Sequence, residues 1–161
     1  MGLDVFAYQK VTHVREPRDE HDYGTDEEER LYNMPAFAER CELPDGIYVP
    51  SGTVHGFECG SCGRYGKWRE ALAALVGVST HDVWKGPKDI ARATPFYELI
   101  NFADNEGTIG PAVSAKLAAD FDKYAERAAS HRPDWPSWLE TYEDFRKAFH
   151  LAAQGGVVKF H

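Results

Sequence analysis

Residues 3–11, Leu-Asp-Val-Phe-Ala-Tyr-Gln-Lys-Val, alternate apolar and polar side chains over most of their length, the period of a half-buried strand. Leu3, Val5, Ala7 and Gln9 then share one face. Residues 15–30 are almost wholly polar, and Thr25 followed three residues later by Glu28 reads as a capping box opening a short helix there. Residues 35–42 suggest another short helix, and Pro44-Asp45-Gly46 a turn. Residues 46–50 read as a short strand and 53–57 as extended chain or loop. From Tyr65 the pattern changes period: Tyr65, Trp68, Leu72, Leu75 and Val76 form a helical stripe that Gly77 ends.

Residues 79–84 suggest a short helical turn, broken by Lys85-Gly86-Pro87. Residues 96–102 lean towards helix. Pro111 occupies a first helical position, which suits its fixed φ, and Val113, Leu117, Phe121, Tyr124 and Ala128 mark one face of a helix reaching about residue 130. After a linker at 132–136, a last helix spans 136–153 with Trp138, Leu139, Tyr142, Phe145 and Phe149 as its core stripe. Gly155-Gly156 stops it, and residues 157–161 form a final strand able to pair with the first. Strands do not alternate regularly with helices, as doubly wound folds require. The reading is α+β: a helix-rich single domain over residues 1–161, with a small sheet of short strands near both termini and in the middle.

Charge narrows the partners. The 161 residues carry a formal net charge of −8, which repels phosphate backbones and anionic membranes and leaves a basic protein or a metal cation as charged partners. Much of that charge lies in the acidic loop at 15–30, read as solvated chain or as a docking face for a basic partner. No apolar run approaches the roughly 20 residues of a membrane span. Met1-Gly2-Leu3-Asp4-Val5-Phe6 lacks the basic-then-apolar pattern of a secretory signal, so the expected location is cytoplasmic.

Candidate chemistry concentrates in two places. Cys59-Gly60-Ser61-Cys62-Gly63 is half of a zinc knuckle, two thiols in a glycine turn, and a tetrahedral site needs two more ligands. Cys41 and His55 complete the candidate set Cys41, His55, Cys59 and Cys62. The competing readings are a redox dithiol and two reduced thiols in a turn; no cofactor is required, and zinc is the one metal the pattern suggests. The second place is Asp104-Asn105-Glu106, followed by Gly107 and Gly110, at the start of the Pro111 helix. These carboxylates either cap free amides or line a ligand pocket. The pocket residues would be Asp104, Asn105 and Glu106 together with Arg64, Tyr65 and Arg69. The scattered histidines include no i, i+4 pair of the kind helical metal sites use.

Residues 96–111 (Phe-Tyr-Glu-Leu-Ile-Asn-Phe-Ala-Asp-Asn-Glu-Gly-Thr-Ile-Gly-Pro), with Lys116-Leu117-Ala118-Ala119-Asp120-Phe121 after them, resemble a group of phage-related and bacterial proteins of unknown function. The opening Met1-Gly2-Leu3-Asp4-Val5 and residues 60–69 are similar to that group as well. There the stretch matching Gly60 to Tyr65 reads Gly-Ser-Tyr-Ser-Gly-Tyr, so the resemblance implies that the thiols are peculiar to this chain. It implies no activity and carries over no functional residue. Three functions remain as expectations: a phage-related accessory protein that binds a basic partner through its acidic surface, a small enzyme or ligand-binding protein with its pocket at Asp104–Gly110, and a zinc-stabilised module.

Overall fold

Five antiparallel strands form one sheet in the order β2-β3-β1-β5-β4: β1 (Leu3–Arg15), β2 (Glu29–Leu31), β3 (Gly46–Gly60), β4 (Thr108–Ile109) and β5 (Val157–Phe160). Among the described residues six α-helices accompany it: α1 (Cys62–Leu75), α2 (Thr80–Lys85), α3 (Lys88–Ala93), α4 (Tyr97–Ile100), α5 (Pro111–Ser130) and α6 (Trp138–Ala152). A short 3-10 helix covers Pro35–Arg40. This computed structural model describes residues 2–104 and 106–161. The fold is α+β, and β5 pairs with β1 as the terminal patterns predict.

The two central strands are longer than expected. Pro50-Ser51-Gly52 reads as a break, yet β3 runs straight through it as a bulge. Tyr8 faces Val54 while Lys10 faces Ser51, so β3 carries one extra residue there. Gly52 takes φ +77 to allow it, and the Gln9 side chain accepts the Thr53 N–H at 2.9 Å. The helix expected after Thr25 does not form. Glu28 Oε2 does accept the Thr25 N–H, as in a capping box, but the chain then joins the sheet as β2 against Tyr48, Ile47 and Gly46. Strand pairing and the bond from Tyr8 Oη to Glu29 (2.6 Å) outweigh one turn of exposed helix.

Alternation decides the faces. Leu3, Val5 and Ala7 of β1, Cys59 of β3, and Val158 and Phe160 of β5 point to the helices. Tyr8 and Val157 point the other way, into a small cluster with Leu31, Cys41 and Tyr48. On the helical side, Phe145 of α6 is the hub. Its ring lies 4.3 Å from Trp68, 4.9 Å from Phe57, 6.3 Å from Tyr65, 6.1 Å from Phe149 and 6.4 Å from Phe160, centroid to centroid. Buried hydrogen bonds tie α6 to α5, from Tyr142 Oη to the Phe121 carbonyl (2.7 Å) and from Trp138 Nε1 to the Ala128 carbonyl (3.0 Å).

Helix boundaries follow their caps. Ser61 caps α1, which begins at Cys62, three residues before Tyr65, and its hydroxyl accepts the Arg64 N–H. Gly77, at φ +81, ends it with paired bonds from Gly77 and Val78 back to Ala74 and Ala73, a Schellman arrangement. One member of the expected α6 stripe is misplaced: Leu139 is 44% exposed, because the stripe through Trp138, Tyr142, Phe145 and Phe149 already fills the facing side. Phe145→Ala is therefore expected to cost about 3–5 kcal/mol of stability, and Leu139→Ala no more than about 0.5 kcal/mol. Chemical denaturation of the two variants checks this; similar losses would contradict the assigned faces.

Candidate functional site

The helix α4 and the loop after it present the carbonyls of Glu98, Ile100, Asn101 and Phe102, and donors from elsewhere in the chain meet them, buried ones from Arg40, Arg69 and Tyr65 and one from the half-exposed Trp84. Arg40 Nε donates to Glu98 (3.2 Å) and Nη2 to Asn101 (3.4 Å). Arg69 Nη1 and Trp84 Nε1 both donate to Ile100 (3.3 Å each), and Tyr65 Oη donates to Phe102 (2.9 Å). The guanidinium of Arg69 lies 4.7 Å from the Tyr65 ring centroid, and that of Arg40 lies 4.9 Å from the Tyr97 ring centroid. Burial without such bonds would be costly for either cation. Glu106 adds the compensating charge. Its carboxylate accepts the Ala103 N–H, and burial raises its pKa despite that bond and the pull of Arg69 and Arg40.

The predicted pocket set is thus only partly assembled. Tyr65, Arg69 and Glu106 gather around residues 100–103, where they satisfy the protein's own backbone. Asp104 lies against the Cys62 thiol, Asn105 falls outside the described residues, and Arg64 points away into a different cleft. Gly107 and Gly110 do serve close approach. A Cβ on Gly107 would lie 2.4 Å from the Tyr32 carbonyl oxygen, and one on Gly110 would lie 3.0 Å from the Cys41 Cα. The start of α5 is capped from elsewhere in the chain: Glu42 accepts the Ala112 N–H at 2.7 Å.

The four candidate metal ligands do not converge. Cys41 sits in the cluster with Tyr8 and Tyr48, whereas Cys59 is buried on the helical face of the sheet. Cys62 is exposed at the start of α1. Among the described residues no group of three His, Cys, Asp or Glu is placed to hold a metal ion. The thiols are also poor ligands as they stand, since metal binding needs thiolates. Burial pushes Cys41 up to about 11 and Cys59 up to about 12, and the hydrogen bond with Asp104 raises Cys62. Thiol titration of native protein is expected to find one reactive cysteine, Cys62, and three after denaturation. Added zinc should leave the melting temperature unchanged, and a zinc-dependent rise would restore the metal reading.

Much of the acidic loop is paired internally. Arg15 holds Asp22 (2.5 Å) and Glu28 (3.0 Å) at once, and Arg30 Nη1 donates to the Asp22 carbonyl (3.2 Å). Asp22 also accepts the Arg18 and Gly24 N–H groups. The Arg15 bond, then the Arg18 amide, hold its carboxyl well below the usual carboxylate range. Glu29 accepts from Lys159 and Tyr8, which outweigh the opposing effect of burial and leave its pKa lowered. Glu16, Asp19, Glu20, Asp26 and Glu27 remain exposed.

A cleft that the sequence did not reveal opens at the other end of β3. It encloses about 330 Å³ between the end of β3, the first turn of α1, and residues 135–144. Trp135 walls it, with the Arg64 guanidinium 5.3 Å from its ring centroid. Glu58, Glu140 and Asp144 supply carboxylates, and Ser137 and Thr141 hydroxyls. Gly60, at φ +83, turns the chain into α1 and leaves room for Arg64, whose Cδ lies 2.9 Å from where a Gly60 Cβ would stand. Beside the cleft, His55 packs on Phe57 with its Nε2 3.3 Å from Asp144 Oδ1. Burial, then Lys147, lower the His55 pKa against the pull of Asp144. Sequence did hold one signal, since Glu140 and Asp144 are like charges at i, i+4, a pairing that costs an isolated helix a few tenths of a kcal/mol. No family model, curated protein or solved structure matches the chain.

The lowered His55 pKa sets a sign for pH dependence. Its unfolded-state value is near 6.5, so as pH falls through that value the unfolded chain binds the proton first and stability drops. The thermal midpoint of the protein is expected to fall on acidification below about pH 6.5, and His55→Gln to flatten part of that fall. An unchanged slope in the variant would remove His55 from the account.

Proposed function

We propose that this is a phage-related accessory protein that acts by binding a basic protein partner through an acidic surface. The observation that carries the reading is the braced acidic loop. Arg15 pairs with its inner carboxylates Asp22 and Glu28, Arg30 ties down its backbone at the Asp19 and Asp22 carbonyls, and Glu16, Asp19, Glu20, Asp26 and Glu27 face solvent on a held backbone with Arg18 as the exposed arginine among them. A pre-ordered charged surface loses less entropy on association than a disordered acidic tail. Its charge chiefly speeds encounter and selects basic partners. The net charge of −8 supports the same reading and opposes direct contact with nucleic acid. No helix among the described residues is long and apolar enough to cross a membrane.

An arginine-rich peptide titrated by calorimetry at rising salt tests this reading. Affinity is expected to fall steeply with ionic strength and to fall again when Glu16, Glu20, Asp26 and Glu27 are all changed to Gln. Affinity that is independent of salt, or binding untouched by the fourfold variant, would sink the assignment of this face.

A further inference from the structure

We infer that the open edge of β3 receives an extended, basic segment of a partner protein as an added strand, a step that rests on the binding role proposed above. The edge is open over most of its length. β3 spans Gly46–Gly60, yet β2 covers only Gly46, Ile47 and Tyr48. Among the described residues no strand and no backbone group of another segment pairs with the outer edge of residues 53–58. Alternation identifies the groups left free. Asp4 exchanges both backbone bonds with His161, at 3.2 and 2.9 Å, so Asp4, Phe6 and Tyr8 turn to the β5 side of β1, and Val5 and Ala7 turn to β3. Phe57 and His55, which face Val5 and Ala7, therefore pair inward, and Val54, Gly56 and Glu58 direct their N–H and C=O groups outward. Gly56 is exposed, and in a glycine that exposure is backbone. Natural edges are commonly blunted by lysine, by proline or by cover from another element. Residues 53–58, Thr-Val-His-Gly-Phe-Glu, carry neither lysine nor proline.

Charge selects the occupant. Glu58 lies on the strand itself. Glu140 and Asp144 of α6 stand beside Phe57 and Cys59, and Asp144 Oδ1 is 3.3 Å from His55 Nε2. At the other end Asp26 and Glu27 adjoin Val49 and Pro50, where β2 stops and the edge opens. None of these carboxylates pairs with Arg or Lys among the described residues. Arg64 and Lys147 are opposing charges nearby. A second copy pairing edge to edge would bring the same acids together on chains of net charge −8. A strand bearing lysines or arginines instead gains main-chain bonds along Val54, Gly56 and Glu58 and meets opposite charge at both ends.

The test uses a capped heptapeptide alternating lysine and valine, with NMR hydrogen exchange on isotope-labelled protein as the readout. In the free protein the Val54, Gly56 and Glu58 amides should exchange fast and those of His55 and Phe57 slowly. Peptide at about ten times its dissociation constant should slow the outward three about tenfold. The fully N-methylated peptide keeps the charge but has no backbone donor, and should bind about tenfold more weakly. A peptide with glutamate for lysine should not bind. Val54→Pro removes one outward N–H at an edge position of the kind proline tolerates, and should weaken the peptide about fivefold. Circular dichroism reads whether that variant folds; if it does not, the peptide analogues decide. Equal binding of either analogue, or a concentration-dependent dimer that protects the three amides in the free protein, overturns the added strand. If basic peptides bind but leave the three amides exchanging as before, the edge fails and the binding role stands. If no basic peptide binds at low salt, both fail.

Discussion

The packing of one ring, Phe145, is the constraint on which the other parts depend. It receives rings from β3, from two positions on α1, from its own helix and from β5. Each such aromatic pair is worth about 0.5–1.5 kcal/mol beyond its burial. Four of these rings lie outside α6, on β3, α1 and β5, so it is the docking of α6 that brings them to Phe145. Because Glu140 and Asp144 ride on that helix, the core also aims the carboxylates of the cleft. Trp135, just before α6, is carried into place by the same docking.

The interior is not purely apolar, and its polar parts serve the backbone. Residues 97–103 follow a left-handed residue, Phe96 at φ +61, whose N–H is taken by Asp120 at 2.9 Å. A non-glycine residue tolerates that conformation only where its surroundings hold it, and here the ring is fully buried against Phe121. The four-residue helix that follows is too short to satisfy its own carbonyls. Arg40, Arg69, Tyr65 and Trp84 do so from other parts of the chain. A loop that looks like a ligand site in the sequence is therefore a junction where four segments are tied together.

The charge of the molecule divides in the same way. Asp22, Glu28 and Glu29 are held by Arg15 and Lys159, and Glu42 and Glu106 accept backbone amides. These carboxylates shape the fold. Others, on the loop at one end of the β1–β3 pair and in the cleft at the other, have no Arg or Lys partner among the described residues. A net charge counted from composition cannot distinguish the two groups, because pairing depends on which residues the sheet register brings into reach.

Local periodicity and capping alone determined β1 and β5, the helices α1, α5 and α6, and the roles of Gly77 and Pro111, since each depends on side chains within a turn or two of chain. They also singled out Gly107 and Gly110 as points of close approach. Only the tertiary structure decided the rest. The bulge that carries β3 through Pro50-Ser51-Gly52 needs Gln9 from β1, and β2 replaces a helix because Tyr8 and Lys159 reach Glu29. The knuckle cysteines part because strand alternation buries Cys59 while the Gly60 turn leaves Cys62 exposed. The cleft joins Arg64 to Trp135 and Asp144 across more than 70 residues of chain, a distance that no sequence pattern spans and that burial of the aromatic core closes.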